Sequence, residues 1–227
     1  MFIGHFAVGL ALKRVEPTTS LGVFTAAVQL LDLLWPCFLL LGWEHVRIEP
    51  GNTAFTPLAF DSYPLSHSLV MALVWGALFG WLYLLRTRRP TAAIWIGLAV
   101  VSHWVLDWIV HRPDLPIAAG VPTKVGLGLW NSIPATVAVE GSLFALGVWV
   151  YVQVTRPRDR MGLFNFWLYI AVLVAIYVGN IVGPPPPNPQ AVALIALGLW
   201  LFPFWTAWID RHWTVRRITG PDARSVQ

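Results

Sequence analysis

Apolar runs near residues 19–42, 66–86, 91–111, 134–155, 163–183 and 190–209 are each long enough to cross about 30 Å of hydrocarbon as helix. Lipid offers no partner to a backbone N–H or C=O, so a chain with six such runs is confined to structures that pair those groups internally. The run lengths select helices. The expected fold is an all-α, polytopic membrane bundle with six transmembrane helices, forming one integral membrane domain over residues 1–227. Residues 1–150 carry the chemistry, 160–210 read as scaffold and 211–227 as a cytoplasmic tail. Residues 2–12 are also apolar, but as helix they reach only roughly 18 Å. They predict a short N-terminal half-helix. No cation precedes this run and Lys13-Arg14 follow it, so it is expected to be retained rather than cleaved as a signal.

The cations orient the bundle. Lys13, Arg14, Arg86, Arg88, Arg89, Arg156, Arg158, Arg160, Arg211, Arg216, Arg217 and Arg224 fall on alternate loops, twelve in all, whereas the opposite loops hold Arg47, Arg112 and Lys124. The richer set is expected in the cytoplasm, with the C-terminus on that side. No basic block suggests nucleic-acid binding, and the single Cys37 excludes an internal disulfide or a cysteine-based zinc module. Histidines and carboxylates remain as metal ligands.

The third run contains Ser102-His103-Trp104-Val105-Leu106-Asp107-Trp108-Ile109-Val110-His111. His103, Asp107 and His111 are spaced i, i+4, i+8, so a helix sets them on one face, each about 6 Å above the last. Ionisable groups at membrane depth are costly unless paired, and they mark functional sites. Depth along each span, at 1.5 Å per residue, places His103 roughly 20 Å, Asp107 roughly 26 Å, Asp32 roughly 18 Å, His67 roughly 28 Å and Glu140 roughly 24 Å from the cytoplasmic end. Five groups on four spans thus share one layer in the outer half of the membrane. His5 sits lower, at roughly 12 Å, and joins the layer only if the first segment is a half-helix beside Asp32.

No Lys or Arg lies inside a span to neutralise Asp32, Asp107 or Glu140. A divalent metal would compensate two or three carboxylates at once; a proton-sharing His/carboxylate network is the other way to satisfy them. Imidazole mixed with carboxylate suits zinc first, with manganese or iron as alternatives. His67, His103 and Asp107 are the leading ligands, with His111 on the same helix face. A fourth position would hold water as nucleophile. Asp32 or Glu140 would then be a further ligand, a bridge to a second metal, or the general base. Arg112, beside the ligand helix, and Lys124, in the loop that follows, are candidates to steady negative charge on a phosphoester. Gly126 and Gly128 in that loop read as a tight turn before the fourth span.

The order His5 with Gly9, then Gln29-Leu30-Leu31-Asp32, Ser66-His67-Ser68-Leu69 and His103-x-x-x-Asp107 resembles bacterial inner-membrane proteins described as membrane-bound metal-dependent hydrolases, one of them as LexA-binding. The resemblance covers roughly residues 1–150. The pattern is distantly similar to the helical zinc-dependent phospholipase C and S1/P1 nuclease group, which cleaves phosphoesters. Carried over, it implies His5, Asp32, His67, His103 and Asp107 as metal ligands. The chain departs from the membrane family where Leu33 and Leu34 follow Asp32 in place of further acids, and where Asp61-Ser62-Tyr63-Pro64-Leu65 stands in place of a His-Arg-Gly lead-in.

These readings converge on a metal-dependent hydrolase acting on an ester or phosphoester of a lipid or lipid-linked substrate, with the bilayer as its surroundings. Two alternatives stay open: a transporter or ion pathway using the same His/Asp groups, and a non-catalytic interaction protein with a structural metal. The orientation is directly checkable. In a Cys37→Ser background, cysteine at Arg47 is expected to react with a membrane-impermeant maleimide in intact cells, and cysteine at Arg158 only after lysis. The reverse pattern would invert the topology.

Overall fold

The computed structural model describes residues 1–216, so Arg217 and Arg224 and the remainder of the expected tail lie outside the described residues. The chain is mostly helical. Five helices are long and apolar enough to cross a membrane: α5 (Leu69–Thr87), α6 (Pro90–Val110), α7 (Ile133–Val154), α8 (Arg160–Val182) and the run Pro189–Arg211. That last run comprises α9 (Pro189–Ala196), a 3-10 turn over Leu197–Trp200, and α10 (Leu201–Arg211). α2 (Leu21–Val28) and α3 (Leu30–Leu40) meet at a 54° bend, and the pair is long and apolar enough to be either a broken sixth span or a re-entrant loop. The straight helix expected over 19–42 is therefore two pieces. The first segment, α1 (Ile3–Ala11), is the expected half-helix.

Local chemistry sets the ends. Ser68, Ser132, Asp159 and Asn188 cap α5, α7, α8 and α9 by accepting backbone N–H groups of Met71, Ala135, Gly162 and Ala191. Pro90, Pro134 and Pro189 stand in first turns, where a missing N–H costs no helical bond. The Gly162 N–H, together with His212, holds the Asp159 carboxyl below the ordinary aspartate range.

The two ends of the bundle match the alternation of charged loops. At one end Lys13 pairs with Asp210 at 2.9 Å and Arg89 with Glu16 at 2.5 Å. There also β5 (Thr155–Pro157) pairs antiparallel with β6 (Trp213–Val215), in the register Arg156 to Thr214. The beginning of the expected tail is thus ordered as a strand. At the other end lie the hairpin β1 (His45–Ile48) and β2 (Leu58–Ser62), the pair β3 (Leu115–Pro116) and β4 (Lys124–Val125), and α4 (Pro64–His67).

Along α5 the large apolar side chains face outward and the small ones inward, an arrangement that lets helices approach closely in lipid. On α5, Leu73, Val74, Trp81, Leu82 and Leu85 are exposed while Ala72, Gly76 and Gly80 are buried. This small-residue stripe lies on α6. A Cβ at Gly80 would come within 2.7 Å of the Ala93 carbonyl, whereas at Gly179 on α8 it would meet nothing within 4 Å. Gly80→Leu is accordingly expected to destabilise the protein by about 1–3 kcal/mol through overpacking, read as a lowered Tm in detergent. Gly179→Leu should leave Tm nearly unchanged, and equal effects would contradict this packing.

Candidate metal centre

Four separate segments deliver ionisable side chains to one buried point. α6 contributes His103 and Asp107, both buried on the face that also carries Ile96, Val100 and Val110. α1 contributes His5, which α7 positions: Glu140 Oε2 accepts the Phe2 N–H at 2.8 Å, closing the N-terminal end of α1. α3 contributes Asp32 from its first turn, and α4 contributes His67 just before the chain turns at Ser68.

Backbone irregularities bring these groups into register. The bend between α2 and α3 takes the Val28 carbonyl out of the helical ladder, and it accepts a hydrogen bond from His103 Nδ1 at 2.7 Å. Pro36, four residues after Asp32, has no N–H to offer the Asp32 carbonyl. Extended backbone at Ser68 separates α4 from α5, so His67 leaves the axis of the long helix. Trp75 fixes that short helix by donating its indole N–H to the Leu65 carbonyl at 2.8 Å.

The resulting distances define the site. His103 Nε2 lies 3.2 Å from Asp107 Oδ2 and 3.7 Å from Asp32 Oδ1. His67 Nε2 lies 3.3 Å from Asp32 Oδ1 and 3.7 Å from Asp107 Oδ2. His5 stacks on His103 with ring centroids 3.6 Å apart, and its Nε2 lies 3.1 Å from Asp107 Oδ1. The Met1 amino group also contacts Asp107 Oδ1. Two sets of ligand atoms are close enough to share an ion: His5, His103 and Asp107, and Asp32, His67 and His103. These buried groups could hold a metal. Ligand atoms around a tetrahedral ion with bonds of about 2.0–2.1 Å stand roughly 3.3–3.4 Å apart, and the four contacts among His67, His103, Asp32 and Asp107 bracket that value. Asp32 is 23% exposed while the other members are nearly sealed, so the cluster opens on its Asp32 side.

Several expected members are placed elsewhere. His111, which caps α6 with its N–H on the Asp107 carbonyl, stands about 12 Å along the helix from His103 and roughly 80° around it, too far to share its ligand point. Its Nδ1 bonds Asp114 at 2.9 Å, and its ring lies among Phe60, Tyr63 and Trp130. The Arg112 guanidinium pairs with Asp114 at 3.3 Å, and Lys124 donates to the Asp61 carbonyl at 3.1 Å on the exposed surface. Neither cation is brought to the cluster. Glu140 is buried against the N-terminus of α1 and stands outside both ligand sets; its Oε1 has no partner among the described residues. Gly126 and Gly128 form more than a turn: Leu127 and Gly128 donate to the Trp108 and His111 carbonyls at 2.8 and 2.7 Å, finishing α6. Gly126 has φ +157°, and a Cβ there would collide with the His111 and Arg112 carbonyls.

Asp114 was invisible as a partner because the helix was expected to run through His111. Glu44, just past the end of α3, reads from its sequence position as interfacial, yet it is 1% exposed and hydrogen-bonded to α4. Nothing in the sequence links it to Ser66, 22 residues on.

No family model, curated protein or solved structure matches the chain. The ligand assignment rests on geometry and has a direct check. Protein purified in detergent is expected to carry zinc or another divalent ion, to lose it in His103→Ala, and to keep it in His111→Ala. Retention of the ion without His103 would contradict the assignment.

Proposed function

We propose that this chain is a membrane-embedded, divalent-metal-dependent hydrolase, zinc being the first choice, that cleaves an ester or phosphoester of a lipid or lipid-linked substrate. The observation that carries the reading is the state of His103. Its Nδ1–H is donated to the Val28 carbonyl, so in the neutral imidazole the lone pair sits on Nε2. That nitrogen has no hydrogen-bond partner among the described residues, yet it faces carboxylate oxygens of both Asp107 and Asp32. Away from water this opposition calls for a positive charge between the groups, a proton on Nε2 or a metal ion. A divalent ion would serve His103, His67, Asp32 and Asp107 together, which a single proton would not.

His67, His103 and Asp107 would hold the ion, with His5 packed against His103 to keep its ring in plane. A divalent cation there would supply Lewis acidity toward water and toward an acyl or phosphoryl oxygen. Asp32, with Oδ1 toward His67 and partly exposed, stands on the open side and would serve as the proton acceptor. Partial exposure of one carboxylate supports catalysis over a structural staple, whose ligands would all be enclosed. The apolar surroundings and the depth of the cluster support a substrate that reaches it from the bilayer.

Purified protein is expected to hydrolyse a chromogenic phosphodiester or a phospholipid in mixed micelles, to lose that activity with EDTA, and to regain it with zinc. Asp32→Asn should retain substantial metal and lose about 10²-fold or more in kcat. A full complement of metal with no turnover of carboxylic esters, phosphomonoesters or phosphodiesters would return the site to a structural role.

A further inference from the structure

Glu44 and Ser66 form a hydrogen-bonded chain behind His67. Glu44 Oε1 accepts the backbone N–H groups of Leu65 and Ser66, both at 2.8 Å, and Glu44 Oε2 accepts the Ser66 hydroxyl at 2.6 Å. Ser66 Oγ lies 2.7 Å from His67 Nδ1. Glu44 and Ser66 are as buried as the cluster itself, at 1% and 0% exposure.

Proton counting settles the direction of the chain. A serine hydroxyl has one hydrogen, and the carboxylate takes it, because an ionised carboxylate can only accept. Ser66 Oγ then has only lone pairs to offer His67. The contact at Nδ1 is therefore an N–H donated by the imidazole, and the lone pair of His67 is confined to Nε2, which faces Asp32 and Asp107. Three hydrogen bonds to one buried carboxylate also fix the pitch of α4, and with it the direction of the ring.

We propose that Glu44 and Ser66 are positioning residues for the metal: they set the tautomer and orientation of His67. This rests on the metal reading above. Partners of this kind typically alter metal affinity by 10–100-fold when removed. They touch neither the ion nor the substrate.

The test compares zinc affinity by competition with a chromophoric chelator in wild type, Ser66→Ala, Ser66→Thr and Glu44→Gln, alongside the Tm of each metal-free protein. Ser66→Ala leaves the two backbone hydrogen bonds to Glu44 in place and removes the hydroxyl that links Glu44 Oε2 to His67 Nδ1. It is expected to weaken zinc binding 10–100-fold, more than the accompanying fall in metal-free Tm accounts for, and Ser66→Thr, which keeps the hydroxyl, should restore binding. Glu44→Gln, which removes the carboxylate that takes the Ser66 proton, should weaken binding as well. If wild type binds zinc and Ser66→Ala binds it equally well, the positioning role is overturned while the metal centre stands. If Ser66→Ala lowers the metal-free Tm and affinity only in proportion, the chain is structural and the proposal fails. If wild type binds no zinc, cobalt or manganese, the metal reading itself is lost.

Discussion

Imidazole nitrogens and carboxylate oxygens gathered within 4 Å of one another, inside a bundle of membrane-length helices, are the constraint on which the rest of this structure turns. Each group alone would be expensive at that depth, and like charges there repel strongly because little water screens them. Their convergence requires backbone to be delivered from four places at once. Regular helices cannot do this, since a straight span presents one side chain per turn at any given depth.

The departures from regular helix are accordingly concentrated around the cluster. The α2/α3 bend supplies both Asp32 and the carbonyl that fixes His103. The turn at Ser68 releases His67 from α5, and the short α1 ends within the bundle so that His5 can stack on His103. α5 to α8 are long, and α5 lies on α6 through glycine and alanine; the 3-10 turn Leu197–Trp200 interrupts the last run away from the cluster. Irregular backbone at membrane depth is tolerated where it is buried in protein or lines a site, and the bend at Gln29 and the turn at Ser68 each have a ligand beside them.

This division explains what could be read from residues alone. Five of the six long runs and the half-helix follow from run length, and the structure has them as helices. Asp32, His67, His103 and Asp107, placed in one layer at 1.5 Å per residue, do converge, while Glu140 stands outside both ligand sets. The remaining differences lie in rotation and in bends. Eight residues along a helix turn a side chain by roughly 80°, which takes His111 off the face of His103. The bend at Gln29 carries no glycine or proline at its centre. Arg112 and Lys124 were placed near the site by sequence proximity, whereas local acids and carbonyls such as Asp114 and the Asp61 carbonyl take up their charge. Glu44 could not be found because its role depends on a contact between two loops.

The cluster also bears on how the fold holds together. Its members come from residues 5, 32, 67, 103 and 107, so an ion bound there would close loops of tens of residues. A ligand that binds only the assembled site adds its binding free energy to stability, and a structural-strength zinc site can supply about 10 kcal/mol or more. The Met1 amino group on Asp107 Oδ1 supplies one positive charge to the cluster, and a divalent ion would offset the charge of Asp32 as well. Glu140 and Glu44 then take on a common sense: each is a buried acid tied to backbone N–H groups, one holding α1 and the other α4, the two shortest helices that carry a ligand. Short helices leave a large share of their N–H groups without an internal partner, and in each case a buried carboxylate accepts some of them at the end that carries the histidine.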